Sequence, residues 1–126
     1  MSDLNLTNSE WHVLDQLWDK APMTVMQLVA ALKDSVGWAK STTITTINRM
    51  ENKGLLRSEV HGRGKWYYPT VQRQEATRQE TRSFLDKVYR GSVGLMMSAM
   101  TDGQTLTRDE IDELYAILRK AEEGSK

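Results

Sequence analysis

The chain has 126 residues, 39% hydrophobic and 27% charged with a formal net charge of zero, which suits one soluble domain or a small domain with an appended helical piece. It has no cysteine, so disulfides and thiolate metal sites are excluded. The segment MSDLNLTNSEW lacks the basic-then-apolar pattern of a signal peptide, and no apolar run reaches membrane-spanning length, so a cytoplasmic protein without membrane insertion is expected.

Thr7 followed by Glu10 forms a capping box that opens a helix over Asn8 to Lys20. Trp11, Val13, Leu14, Leu17 and Trp18 contain the i, i+3, i+4, i+7 set of a core-facing stripe. Ala21-Pro22 ends the helix, because proline has no backbone N–H to continue it. Thr24 with Gln27 is a second capping box, starting a helix to about Ser35 with Val25, Leu28, Val29 and Leu32 inward.

Gly37 breaks that helix, and a third is expected from Trp38 to Gly54, WAKSTTITTINRMENKG. On this helix Thr43, Ile47 and Met50 share one face, with Thr46 and Ile44 on its flanks. The opposite face collects Ser41, Thr42, Thr45, Asn48, Arg49 and Asn52, hydroxyls and amides with one arginine and no carboxylate. Such groups reach base edges and phosphates in a DNA major groove; a merely solvated helix face is the plain alternative. Two helices joined so tightly, the second with a polar outer face, read as a helix-turn-helix.

Leu56, Ser58 and Val60 alternate through the next stretch as the half-buried side of a strand. Gly62-Arg63-Gly64 is a turn, and Lys65 to Pro69 forms a second strand rich in aromatics. A hairpin directly after a helix-turn-helix makes a winged helix, with Arg63 and Lys65 at a tip suited to sugar-phosphate. Local charge agrees: Lys40 to Lys65 holds six Lys/Arg against two acids, a net of +4, whereas Asp102 to Glu113 holds five acids against Arg108.

From Gln72 the pattern changes. Arg73 to Arg90 is polar first and apolar later, through Phe84, Leu85, Val88 and Tyr89. Ser92 to Met100 is apolar nearly all round, a loop follows at Thr101 to Gln104, and a capping box at Thr107 and Glu110 opens a last helix. These helices are too small to close a core alone, so Phe84, Leu85, Val88, Leu95, Met96, Met97, Met100, Ile111, Leu114, Tyr115 and Leu118 are expected in a dimer interface. The alternative is that they fold back on the winged helix. The expected division is a DNA-binding domain over 1–71 and a helical dimerisation domain over 72–126, mainly α (α+β) in class.

No enzyme site, metal site or cofactor site emerges. His12 and His61 have no partner cluster, Ser41 and Ser98 no triad arrangement, and Gly62 and Gly64 lie between strands rather than before a helix. Asp109, Glu110, Asp112 and Glu113 begin a helix, where acids favour the dipole.

LTNSEWHVLDQLWDK, WAKSTTITTINRMENKGLL, KWYYPTV, FLDKVYRGSVGLMMSAM and LTRDEIDELYAIL, in that order, resemble the penicillinase-repressor family, the BlaI/MecI/CopY group of bacterial winged-helix repressors. The resemblance spans nearly the whole chain. It implies a homodimer that binds inverted-repeat operators built around TACA and TGTA and represses β-lactam-resistance or copper-transport genes. In the β-lactam branch it further implies a membrane sensor-protease pathway that leads to cleavage within the apolar C-terminal helix. The copper branch ends in a cysteine-rich motif absent here, so thiolate copper sensing is excluded. Ser98-Ala99 stands where the best-known β-lactam repressors carry their cleaved Asn-Phe pair. Ile44 stands where a basic residue often occurs, which implies a different base preference.

Lys40, Ser41, Thr42, Ile44, Thr45, Asn48, Arg49, Arg63 and Lys65 are therefore the candidate DNA contacts, with Lys53 and Arg57 secondary. The rival from another class is a winged helix that binds protein and shows no specific duplex recognition.

Overall fold

Three capping boxes mark helix starts in the structure, a computed structural model that describes residues 5–103 and 106–125. The expected loop position Gln104 lies outside the described residues. The chain divides into two compact units that meet at Thr81/Arg82, inside the fourth helix.

In the first unit, helix α1 (Asn8–Lys20) starts where the Thr7 hydroxyl accepts from the Glu10 amide and the Glu10 carboxylate accepts from Thr7 N–H. Glu10, Val13, Leu14 and Leu17 form its buried stripe, so a charged residue occupies one of four inward positions. Trp11 and Trp18 are half-buried and meet edge to face at 5.3 Å. Trp18 Nε1 donates to the Val71 carbonyl at 2.9 Å, tying the chain beyond the wing back to α1.

Met23–Thr24 forms a short strand, β1, that was not expected from the sequence, pairing Met23 with Tyr67 and Thr24 with Trp66. Two residues carry no readable alternation; the pairing exists because the turn after α1 runs alongside the wing. Helix α2 (Val25–Val36) buries Leu28, Val29 and Leu32 and ends at Gly37, whose φ of 75° is the left-handed conformation glycine tolerates.

Helix α3 covers Lys40–Asn52, shorter than the expected Trp38–Gly54. Ala39 is still extended and offers no side-chain cap, while Trp38 N–H bonds back to Leu32 O and its ring meets His12 at 5.9 Å. At the other end Gly54 (φ 80°) lies just past the C-cap Lys53. Gly54 N–H donates to Glu51 O and Leu55 N–H to Met50 O, the paired bonds of a Schellman ending. Leu55 and Met50 are both buried, the apolar contact that accompanies such an ending.

The wing consists of β2 (Leu56–His61) and β3 (Gly64–Pro69), antiparallel, joined by Gly62-Arg63; the sheet order is β1-β3-β2. Gly62 adopts φ 63°, and a Cβ on Gly64 would come within 2.9 Å of Trp66 Nε1. Leu56 is buried and Ser58 half-buried as expected, but Val60 is 73% exposed, contrary to the alternating reading. The hairpin runs past the helices by that point, where Val60 pairs with Lys65, so no layer remains to cover its inner face.

Helix α4 (Arg73–Tyr89) places Ala76 in the first unit's core, and Arg73 pairs with Asp19 at 2.8 Å and Asp15 at 3.4 Å. The second unit contains the remainder of α4, α5 (Val93–Thr101, capped by Ser92) and α6 (Arg108–Gly124, capped by Thr107). Thr101, expected in the loop, closes α5 instead, its hydroxyl donating to Met97 O at 3.0 Å. An apolar groove of about 460 Å³ runs between α5 and α6, lined by Val93, Met97, Leu106, Ile111, Leu114 and Leu118 among others.

Candidate nucleic-acid interface

The two faces of α3 separate as its periodicity dictates. Thr43, Thr46, Ile47 and Met50 are buried, and Ile44 on the flank is half-buried. Lys40, Ser41, Thr42, Thr45, Asn48, Arg49 and Asn52 are all exposed on the outside. Thr46 satisfies its hydroxyl by donating to Thr42 O at 2.8 Å, which leaves its methyl for the core.

Ser41, Thr42, Thr45, Thr46 and Arg49 line a shallow cleft of about 320 Å³ with Ser9 from α1. Ser9 was not among the candidates from the sequence. Its only signal is its place two residues after the cap Thr7, in the first turn of a helix. The cleft thus joins five hydroxyls, one guanidinium and the positive end of a helix, a combination suited to a phosphate oxygen beside base edges.

Behind the cleft lies Glu10, fully buried. Its Oε1 accepts from Thr7 N–H at 2.9 Å; its Oε2 accepts from Lys53 Nζ at 2.7 Å and lies 3.7 Å from Arg49 Nε. Burial works against the charged carboxylate, but the Lys53 hydrogen bond, the Thr7 amide and the charges of Lys53 and Arg49 outweigh it. The net effect holds the Glu10 carboxyl below its ordinary value. Arg49 and Lys53 nevertheless remain about half exposed, at 49% and 43% of their side chains. Lys53, a secondary candidate for phosphate, therefore has a partner inside the protein.

On the wing, Arg63 is exposed in the turn and Lys65 is exposed beside it. Lys65 Nζ lies 3.5 Å from Glu51 Oε1 and 5.3 Å from the Tyr67 ring centroid, weak restraints for a surface ammonium. Arg57 stacks 4.1 Å from the Tyr68 ring centroid and pairs with Glu59, which also contacts His61 at 3.0 Å. The Arg57 and then His61 hydrogen bonds lower the Glu59 carboxyl. Arg57 is thus engaged along the strand, unlike Arg63 at the turn.

Of the dimerisation candidates, Phe84, Val88, Leu95, Met100, Tyr115 and Leu118 are exposed, and Leu85, Met96, Met97, Ile111 and Leu114 are half-buried. Ser98 and Ala99 are exposed on α5. Among the described residues, no group of three or more His, Asp or Glu side chains could hold a metal ion, and no helix is long and apolar enough to cross a membrane.

Residues 6–120 match the penicillinase repressor family. The methicillin resistance regulatory protein MecI of Staphylococcus aureus (strain N315) is 25% identical over 115 residues, covering 91% of this chain and 94% of that protein. The penicillinase repressor of Bacillus licheniformis is 25% identical over 121 residues, covering 96% and 94%. Among solved structures, the monomeric form of Bacillus licheniformis BlaI in complex with the blaP half-operator aligns with a TM-score of 0.53 at 20% identity. That alignment covers 59% of this chain and 90% of that one.

Proposed function

From the premise that the chain belongs to the penicillinase-repressor family and is a DNA-binding transcriptional repressor, we propose that it binds an inverted-repeat operator as a homodimer in the cytoplasm. In this reading α3 enters the major groove. Thr42, Thr45, Ser41 and Asn48 approach base edges, Ile44 offers apolar contact, and Arg49 grips a phosphate or a guanine edge. Lys40, Arg63 and Lys65 anchor the backbone to either side. The regulated genes are those of β-lactam resistance or a related stress response, in keeping with what the two relatives are named for. A sensor-protease pathway would end repression by cutting α5 near Ser98 and Ala99. The division of labour proposed is reading in residues 1–71 and dimerisation in 72–126, with the first turns of α4, up to Thr81, packed in the first unit.

The observation that carries this reading is the outer face of α3: hydroxyls, two amides and an arginine, all exposed on a helix whose other face is core. One such helix covers only a few base pairs, so useful affinity needs two half-sites. The test is titration of the full chain against a duplex carrying paired TACA and TGTA half-sites, over a range of salt. Two chains per duplex and a steep loss of affinity with salt are expected. Saturation at one chain would overturn the dimeric reading, and no preference over a scrambled duplex at any salt would leave the protein-binding rival standing.

A further inference from the structure

We infer that Glu10 is a positioning residue of the DNA-reading surface: by binding the ammonium of Lys53 and attracting Arg49 electrostatically on its Nε side, it biases the end of α3 toward one oriented cation in place of two mobile ones. The inference rests on the DNA-binding reading above.

A buried carboxylate is costly unless its oxygens are satisfied, and those of Glu10 are satisfied by partners on two elements. Oε1 closes the capping box of α1 through Thr7 N–H. Oε2 reaches across to α3, 2.7 Å from Lys53 Nζ and 3.7 Å from Arg49 Nε. Arg49 and Lys53 are four residues apart on one helix and so project to the same side.

The two cations are held differently. Lys53 meets Glu10 through a direct 2.7 Å hydrogen bond from its ammonium, a compact point charge largely offset by the carboxylate. Arg49 approaches with Nε at 3.7 Å, an electrostatic pairing beyond hydrogen-bond reach, and the two terminal nitrogens of its fork remain for another acceptor. Arg49 also lines the hydroxyl cleft with Ser9, Ser41, Thr42 and Thr45, so the Glu10 carboxylate draws its guanidinium toward the place where those side chains converge. A helix tie alone would need only Lys53. The Nε approach of Arg49, beside the cleft, is what points to DNA.

Loss of the Glu10 charge would have two separable effects. Lys53, on a long flexible stem and already 43% exposed, would become an additional phosphate contact that reads no sequence. Arg49 would lose its orientation and, with it, discrimination at its site.

The test compares the wild-type chain, Glu10→Gln and Glu10→Gln/Lys53→Gln by fluorescence anisotropy on operator and scrambled duplexes across a salt series. Glutamine retains the shape and the Thr7 cap. For Glu10→Gln the salt slope on scrambled duplex should steepen by about one unit, and the operator-to-scrambled affinity ratio should fall by about tenfold. The double variant should recover the wild-type slope while its ratio stays low, because Arg49 is still unheld. A Glu10→Gln chain that only melts earlier, with slope and ratio both unchanged, would show a structural tie and overturn the inference. If Glu10→Gln does not fold, Lys53→Gln decides: an unchanged slope is expected, and a slope flattened by about one unit would make Lys53 a phosphate contact and overturn the inference. A wild-type chain that fails to prefer operator would instead take down the DNA reading itself, a result visible before any variant is made.

Discussion

The winged unit and the C-terminal unit use the same apolar residue types and end with opposite surfaces. In the first, Val13, Leu14, Leu17, Leu28, Leu32, Ile47, Met50, Leu56 and Tyr67 form one buried cluster, closed by Val71 and Ala76. In the second, no described residue is buried, although α5 is the most apolar helix of the chain; Leu95 is 57% exposed and Leu118 63%. The first unit brings three helices and a sheet around a common centre. The second has the end of α4, the nine-residue α5 and α6 with no sheet to close them, too few elements to enclose their own apolar side chains. One unit finds its core within the chain; the other leaves its apolar side chains uncovered, the surface that the proposed homodimer would bury.

The sharpest way to break that comparison is to charge the groove between α5 and α6. Leu118→Glu should abolish the proposed dimer, since a carboxylate facing an apolar partner is costly to desolvate. Each winged unit would then hold one half-site alone, and operator affinity should fall by about 10²–10⁴-fold. Sedimentation and operator titration of the same sample check it; a variant that stays dimeric places the covering surface elsewhere.

The converse experiment removes the second unit. A fragment ending at Thr81 keeps the whole buried cluster, Ala76 included, and should fold as a monomer with weak operator binding. Within it, Leu14→Ala should cost about 2–5 kcal/mol in urea unfolding, the range for truncating a fully buried leucine. A fragment that dimerises tightly, or a Leu14→Ala cost below about 1 kcal/mol, would show that the two units do not differ as described.

What the sequence made legible follows the same line. The capping boxes at Thr7, Thr24 and Thr107 and the inner face of α3 could be read because their partners lie within a turn or two. Glu10 could not be read fully: three residues from Thr7 it explains itself as a cap, while its second oxygen meets Lys53, 43 residues downstream. Ser9 was missed because a cleft between two helices leaves no spacing in either. Val60 misled because alternation assumes a covering layer along the entire strand, and the wing outruns its layer. What the sequence offered for the second unit was a surplus of apolar side chains, and the structure leaves most of them exposed or half-buried.

A smaller effect separates reading from anchoring within the first unit. Thr45→Ala should relax preference at one base position by about 1–3 kcal/mol without touching stability, because Thr45 is exposed. Arg49→Ala should flatten the salt slope by about one unit if the guanidinium grips phosphate, and lower discrimination at its own site if it reads a guanine edge. Binding selections over randomised half-sites distinguish these outcomes, and equal relaxation at all positions for Thr45→Ala would remove it from base contact.

The smallest effect concerns acid. Glu10 in the winged unit and Glu110 in the C-terminal unit both cap helices and both titrate below their ordinary values, yet only Glu10 is buried and paired with cations. A carboxyl whose folded pKa is depressed contributes stability that is fully present above its unfolded pKa. That stability is lost as pH falls through the folded value. The winged unit should therefore lose stability on acidification partly through Glu10, as protonation releases Lys53 and Arg49. Asp15, Asp19, Glu51 and Glu59 are also paired, so the total acid loss cannot be credited to one group. The difference between wild type and Glu10→Gln isolates it. In urea unfolding of the fragment ending at Thr81, the wild-type advantage should be constant near neutrality and shrink as pH falls below the ordinary glutamate range. Glu110→Gln in the full chain should show a far weaker pH-dependent difference, because solvent screens an exposed cap. An advantage for Glu10 that persists unchanged into strong acid would mean the carboxylate charge is not what ties α1 to α3.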